Sequence, residues 1–243
     1  MPDPATGCSG KHEFCIAFFV LKSGPEVFFT MRYSAFIAVA LAASLTAGCA
    51  STLQVYSAPE HQARGLEAQA LREGGIAFLT PSTVTGQEED KQTLAYVFAA
   101  ALKSERPDIR LVPLSDTISA VNRAGLAGAY RTLYHEYRDT ALFDGAVMRQ
   151  IAQAAGARYL AQLKLATMQQ GSRGRWSLLG FNILNTQYAN MRVFFQVWDS
   201  HDGSVAWEGI DELTFAVDTG QEKPIAFRAI AERAAQDLIK RLP

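Results

Sequence analysis

The sequence predicts an α/β (α+β) fold, a single layered domain with a mixed central sheet, flanking helices, a C-terminal strand hairpin and a closing helix. Three observations predict it. Short apolar runs bounded by Gly and Pro alternate with helical patterns in the first half of the chain. Two strand-like segments in the second half are joined through Asp202-Gly203, a strong hairpin turn. The last segment, which we expect to start at Pro224, carries one apolar face at helical spacing.

The first half predicts two strands separated by a helix. Gly75 to Pro81 is typical of a short buried strand. Apolar residues between Leu94 and Leu102 recur at helical spacing. Ile109 to Pro113 predicts the second strand, and Ser115 and Asp116 are predicted to cap the helix that follows. Acidic residues stand where the dipole of the first helix favours them: Glu88, Glu89 and Asp90.

The second half predicts a helical region and then three strands. Asp144 is expected to cap the last helix of this region, and Gly156 to end it. Tyr159 to Leu165, Met191 to Trp198 and Val205 to Phe215 are the predicted strands. One domain over 66–243 accommodates all of these elements.

The amino end carries a predicted export signal over residues 31–48. Met31-Arg32-Tyr33 supplies a short basic start, and the segment from Ser34 to Gly48 is apolar, uncharged and ends in small residues. This segment is shorter than the roughly 20 apolar residues that a membrane-spanning helix needs. Residues 1–30 do not fit a signal, so we expect them to be a misassigned leader, with Met31 as the true start. The alternative is a genuine 48-residue leader.

The signal ends in Leu45-Thr46-Ala47-Gly48-Cys49, which resembles the lipobox of bacterial lipoproteins. The usual Leu three residues before the cysteine is replaced by Thr46, and Leu45 stands one residue further back. The resemblance implies cleavage between Gly48 and Cys49, with a covalent diacylglycerol and an N-acyl lipid on Cys49. No other cofactor is predicted. A plain secretory signal with a chance cysteine is the alternative.

Cysteine usage agrees with lipidation. Cys8 and Cys15 precede the predicted cut, so the mature chain holds only Cys49 and forms no internal disulfide. An Asp that follows the lipidated cysteine typically retains lipoproteins in the inner membrane, and this chain has Ala50 and Ser51 there instead. The resemblance therefore implies the outer membrane, with the domain facing the periplasm. Residues 49–65 are predicted to be a lipidated, polar tether.

The charge balance bears on partners. The formal net charge is −1, and the predicted leader removes equal numbers of basic and acidic residues. This near neutrality argues against a nucleic-acid partner. The expected partners are the lipid bilayer, through Cys49, and envelope proteins of unknown identity. Self-association into a homo-oligomer stays open.

Three landmarks together resemble the periplasmic α/β domain shared by the curli-secretion-channel family and the outer-membrane lipoprotein activators of peptidoglycan synthases. They are Gly75 to Pro81, Ala154 to Leu160, and the hairpin from Phe194 to Trp207. Arg158 departs from the Gly-Ala-Asp-Tyr that the family usually has at the second landmark. Gln162 or Leu163 replaces a Gly of the following strand. The resemblance implies the fold, whereas shared folds host unrelated functions.

The stretch from Gln169 to Tyr188 is longer than a minimal hairpin needs. In the curli channel a longer insertion at this place supplies a membrane-spanning hairpin. A second such hairpin would be needed after Phe215, and Ala216 to Lys223 is too short for one, which argues against a pore. The stretch is predicted either to dock a partner or touch a membrane, or to pack over the sheet. Its apolar residues are Trp176, Leu178, Leu179, Phe181, Ile183 and Leu184.

No pattern of residues predicts catalysis. His135-Glu136 lacks the second histidine one helical turn on that a zincin needs, so no metal site is predicted. Aromatic and basic residues recur at helical spacing and predict either a partner-binding face or, as we favour, part of the core: Tyr130, Arg131, Tyr134, Tyr137 and Arg138.

The sequence as a whole predicts a non-catalytic, lipid-anchored periplasmic binding or adaptor module. It would contribute to envelope assembly or secretion by protein–protein contact. Two alternatives are kept: a subunit of an oligomeric outer-membrane secretion pore, and an envelope hydrolase with an unrecognised site.

Overall fold

The computed structural model describes residues 53–178, 181–219 and 224–243, without the side chains of 175–178 and 181–184. The predicted leader and signal, with Gly48 and Cys49, lie outside the described residues, and so does Leu179. Six helices and eight strands form within the described ranges. The helices are α1 (Ala68–Gly74), α2 (Glu88–Glu105), α3 (Leu114–Arg123), α4 (Ala127–Thr140), α5 (Gly145–Ala155) and α6 (Phe227–Ile239). The strands are β1 (Leu53–Ser57), β2 (Glu60–Ala63), β3 (Ile76–Phe78), β4 (Ser82–Thr83), β5 (Leu111–Val112), β6 (Tyr159–Leu178), β7 (Phe181–Asp199) and β8 (Val205–Thr219).

Local signals determine where α5 begins and ends. The Asp144 carboxylate accepts hydrogen bonds from the backbone N–H groups of Ala146 and Val147 at 2.7 and 3.0 Å, which confirms the predicted cap of α5. Gly156 ends α5 in the left-handed conformation, with φ at 69°. The predicted caps Ser115 and Asp116 are wrong, because α3 already starts at Leu114 after Pro113, whose ring fixes an extended backbone there.

The strands form one mixed sheet in the order β1-β8-β7-β6-β3-β5. β3 lies parallel to β5 and β6, whereas β6, β7 and β8 are antiparallel neighbours. At the sheet edges, β2 pairs with β8 and β4 pairs with β6. The predicted hairpin turn is present, with Gly203 at φ 81°. The mixed α/β class predicted from the sequence is confirmed.

Helices cover both faces of the sheet, so the domain has three layers. On one face α1, α2 and α6 pack on side chains such as Phe78 and Phe195. On the other face α3, α4 and α5 pack on Leu79, Leu160 and Trp198. Because β3 contributes Phe78 to one core and Leu79 follows it into the other, the apolar run between Gly75 and Pro81 is buried on both sides.

The tyrosines of α4 belong to the core, as the sequence predicts. The backbone N–H of Thr80 donates to the Tyr130 hydroxyl at 2.8 Å. The Tyr134 hydroxyl donates to the carbonyl of Pro81 at 3.2 Å, and that of Tyr137 to Gln196 Oε1 at 2.9 Å. Burial raises the pKa of Tyr137 to about 12. These hydroxyls join α4 to the sheet, since buried phenols need partners.

Arg158, which departs from the family pattern, pairs with an acid across the sheet edge. Its Nε donates to Asp199 Oδ2 at 3.1 Å, and a terminal guanidinium nitrogen donates to the same oxygen at 2.5 Å. Asp199 ends β7, next to the start of β6 where Arg158 lies. The departure therefore supplies an ion pair that ties the two strand ends together.

Three predicted boundaries need correction. The tether predicted over 49–65 is wrong for residues 53–63, because β1 and β2 pair with β8 and extend the sheet ahead of residue 66. β6 continues to Leu178 and β7 begins at Phe181, so both strands are much longer than predicted. The closing helix begins at Phe227, since Ala226 is still extended.

Candidate functional site

The candidate site is a four-stranded antiparallel ribbon formed by the long ends of β6, β7 and β8, with β1 at its edge. Leu53 lies opposite Val217, Val217 opposite Gln187, and Gln187 opposite Ser172. These four residues mark one row across the ribbon. The row gives a common reference for how far each strand extends.

Among the described residues, the β6–β7 hairpin extends furthest beyond this row. β6 runs six residues past Ser172 to Leu178, which is roughly 20 Å at 3.4 Å per residue. Trp176 pairs with Leu184, and Leu178 with Phe181. The β6–β7 pairing therefore continues from the sheet into this hairpin. We call residues 175–184 the hairpin tip.

The hairpin tip contains the residues that the sequence singled out for contact. Trp176, Leu178, Phe181, Ile183 and Leu184 are brought together by strand pairing. Register shifts lie between Gly174 and Trp176 and between Trp176 and Ser177. Such irregularities increase local twist and re-aim strand ends.

Below the tip, one face of the ribbon carries polar and aromatic side chains. Tyr188 lies across Gly171, where a Cβ would overlap the phenol ring. The Arg173 guanidinium lies 5.5 Å from the centre of that ring. Thr186 Oγ1 donates to Asp218 at 2.6 Å and links β7 to β8. These contacts stabilise the ribbon between the core and the tip.

β1 brings the amino end of the domain to the same end of the ribbon. It runs antiparallel to β8, so Leu53 is its outermost described residue. Cys49 precedes Leu53 by four residues. An extended chain spans at most about 3.5 Å per residue, so the Cys49 Cα lies within about 14 Å of that of Leu53. The predicted lipid attachment point is therefore restricted to the neighbourhood of the ribbon end.

A buried polar cluster holds β1 against the domain. The Ser57 hydroxyl lies 3.1 Å from Asp211 Oδ1 on β8 and 2.8 Å from Asp237 Oδ2 on α6. Arg233 Nε donates to the same Asp237 oxygen at 2.7 Å. One hydroxyl carries one proton, so it cannot donate to both acids at once. A protonated Asp211 that donates to Ser57, which in turn donates to Asp237, satisfies every partner.

The environment of Asp211 favours its protonated form. Burial raises the pKa of Asp211 to about 6, and the nearby Asp237 adds to the rise. The Asp211 side chain is fully buried. This perturbed acid is therefore enclosed where β1, β8 and α6 meet.

We expect Asp211→Asn to stabilise the protein above pH 6. The folded pKa of Asp211 is raised, so the folded state binds one proton more than the unfolded state between about pH 4 and 6, and stability falls as pH rises through this window. Asparagine can donate to Ser57 without a proton to lose. The variant should gain on the order of 1–3 kcal/mol in free energy of unfolding at pH 7.5 and almost nothing at pH 4.

Urea unfolding of both proteins from pH 4 to 8 measures this difference. A gain that is the same at every pH would contradict the assignment of the proton to Asp211.

The three histidines among the described residues occupy separate elements. His61 stacks on Trp207 with ring centroids 6.2 Å apart, His135 lies on α4, and His201 is in the β7–β8 turn. Within 53–178, 181–219 and 224–243, no three His, Cys, Asp or Glu side chains are grouped to hold a metal ion. Across the same ranges, no helix combines the length and apolar character needed to cross a bilayer.

Apart from the ribbon, an apolar groove lies between α2 and α3. It has a volume of about 320 Å³ and is lined mainly by apolar side chains, among them Ala95, Tyr96, Leu114 and Ile118. Glu88 stands at its rim and pairs with Lys91 at 3.3 Å. The lining of the groove comes from α2, α3 and the loops beside them and includes no residue of the ribbon strands. The Ser115 hydroxyl in this lining lies 3.5 Å from Asp116 Oδ1.

Sequence reasoning missed β1 and the acid cluster beneath it. Two signals were present. Leu53 and Val55 alternate with Gln54 and Tyr56, the spacing of a strand with one apolar face. Asp211 also occupies an inward position of β8, between Gly209 and Leu213, where an apolar residue is expected.

Comparisons with known proteins found likeness only among solved structures. No protein-family model and no curated protein matches the chain. A dodecamer of a PelC point variant from Paraburkholderia phytofirmans is 13% identical, covers 77% of this chain and 97% of its own, and has a TM-score of 0.39. A PelC dodecamer from the same organism in another space group is 14% identical, covers 79% and 97%, and has a TM-score of 0.38. Lipoprotein GNA1162 from Neisseria meningitidis is 11% identical, covers 69% and 96%, and has a TM-score of 0.35. At these values the likeness assigns neither a family nor a function.

Proposed function

We propose that the protein is a non-catalytic, lipid-anchored binding module of the bacterial envelope. Cys49 would hold it at the outer membrane with the domain in the periplasm, and it would act through contacts with other envelope proteins. One observation carries the proposal. The paired strand β1 begins only four residues after Cys49, at the end of the ribbon from which the hairpin tip projects.

The short connection changes how the module would work. A free tether from Cys49 to residue 66 would reach about 60 Å, whereas the chain from Cys49 to Leu53 reaches about 14 Å. The domain would stay against the bilayer and would not sample the periplasm at a distance from it. Restricting a binding surface to a thin layer raises its effective concentration for partners in that layer.

The hairpin tip is the proposed contact element. Its aromatic and aliphatic residues are of the kinds that anchor protein interfaces, and strand pairing holds them on a stiff support. It would be presented close to the membrane surface, next to the lipid attachment point. This position suits a partner that is embedded in the membrane or rests on it.

A photo-crosslinking amino acid at Ile183 tests the proposal in living cells. We expect adducts between Ile183 and another envelope protein. The same group at Asp202, in the exposed turn at the opposite end of the domain, serves as the control. Adducts with a second copy of this chain would favour the pore subunit instead. Equal yields at both positions would contradict a contact role for the hairpin tip.

A further inference from the structure

We propose that the exposed apolar side chains of β1, Leu53, Val55 and Tyr56, rest on the lipid interface and fix the tilt of the domain on the bilayer. Their exposed fractions are 57%, 39% and 67%. They fall within a single five-residue edge strand that carries no charge, with Leu53 and Val55 on one face of the sheet and Tyr56 on the other. The inference rests on the proposed anchoring at Cys49, and it identifies the partner of this surface as a lipid bilayer.

The strand ends at this side of the ribbon form an oblique edge that a flat surface can follow. Relative to Leu53, β8 extends two residues further to Thr219, and β6 six residues further to Leu178. With a rise of about 3.4 Å per residue and a strand spacing of about 4.8 Å, these ends step forward by about 7 and 20 Å. A line from Leu53 to the hairpin tip passes close to Thr219.

β1 lies close to that line along its whole length. On the same dimensions, the Tyr56 Cα is about 6 Å behind it. Cys49 precedes Leu53 by four residues, so acyl chains on Cys49 would enter the bilayer beside this edge. Tyrosine suits the membrane–water interface, because its ring is apolar and its hydroxyl can stay hydrated.

A second copy fits this surface less well. The outward edge of β1 could pair with the β1 of another copy in the antiparallel sense. Such a two-fold pair would direct the two ribbons in opposite directions. The two Cys49 residues would then stand at opposite ends, and both could not enter the same bilayer. A lipid surface satisfies the apolar side chains and the anchor together.

The test uses the lipidated mature protein in vesicles of phosphatidylethanolamine and phosphatidylglycerol, a fraction of whose headgroups carry a fluorescence quencher. Thr214 is exposed on β8, directly opposite Tyr56, and Thr214→Cys accepts a fluorophore because the Cys49 thiol is acylated. We expect strong quenching of this reporter. Leu53→Thr with Tyr56→Thr should abolish most of it, and threonine keeps the preference for a strand.

Leu142→Thr is the matched control, because Leu142 is 67% exposed like Tyr56 but lies between α4 and α5. It should leave the quenching unchanged. Retained quenching in the double variant would overturn the lipid contact, as would loss of quenching together with a change in oligomeric state. Failure of the anchor itself is a separate result, since the parent protein would then not co-sediment with the vesicles.

Discussion

Cys49→Ser is expected to abolish incorporation of labelled palmitate into the protein. The thiol at this position is the only one that remains after the predicted cut, and thioether acylation needs a sulfur atom. The variant should accumulate as an uncleaved precursor or a soluble form. Metabolic labelling in cells, followed by membrane fractionation, measures both effects.

Cys15→Ser is the matched control for this prediction. Cys15 precedes the predicted cut, so its loss should change neither labelling nor fractionation. Palmitate that persists in Cys49→Ser, or disappears in Cys15→Ser, would exclude Cys49 as the lipidated residue.

Gly209→Val is expected to have the largest effect on stability. A Cβ at Gly209 would overlap the Trp207 ring and lie 2.9 Å from Leu238 Cδ2. Trp207 lies on β8 and is fully buried in the core that α6 also forms, so its ring cannot move away from an added side chain. Overpacking of this kind costs about 2–3 kcal/mol. For a domain of this size the melting temperature should fall by roughly 5–10 °C.

Gly128→Ala provides the comparison. A Cβ at Gly128 would meet nothing within 4 Å, and the residue is already helical in α4. We expect Gly128→Ala to be neutral or to stabilise by less than about 1 kcal/mol. Similar melting temperatures for both variants, measured by circular dichroism, would show that Trp207 does not occupy the space above Gly209.

The parts of the fold that local chemistry determines could be predicted from the sequence. The Asp144 cap, the Gly156 stop and the Asp202-Gly203 turn each depend on residues within a few positions of one another. The apolar periods placed α2 and α6 correctly within a few residues. Near these positions tertiary packing and local preference agree, so the sequence pattern was sufficient to predict these elements.

β1 could not be predicted in the same way, because its partner lies far away in sequence. Ser57 pairs with Leu213 and contacts Asp237, and nothing in its sequence neighbourhood indicates either contact. Polar residues and Pro59 gave the stretch the composition of a tether. The pairing depends on the free edge of β8, a property of the assembled sheet.

The sequence indicated the apolar residues of the candidate site, whereas it did not indicate the long strands on which they lie. The apolar residues between Trp176 and Leu184 were predicted either to contact a partner or a membrane or to pack over the sheet, without the two long strands that carry them. Gly171, Gly174 and several polar residues interrupt the alternation that predicts a strand. Tyr188 covers Gly171 from the neighbouring strand, a compensation that only the paired sheet provides.

We propose that Cys49, four residues ahead of the first strand, holds this domain to a membrane. Mass spectrometry of the amino-terminal peptide from the native protein tests it most directly. The account predicts a mature chain that begins at Cys49 and carries a diacylglycerol and an N-acyl group. A chain that begins at any other residue, with an unmodified thiol, would contradict it.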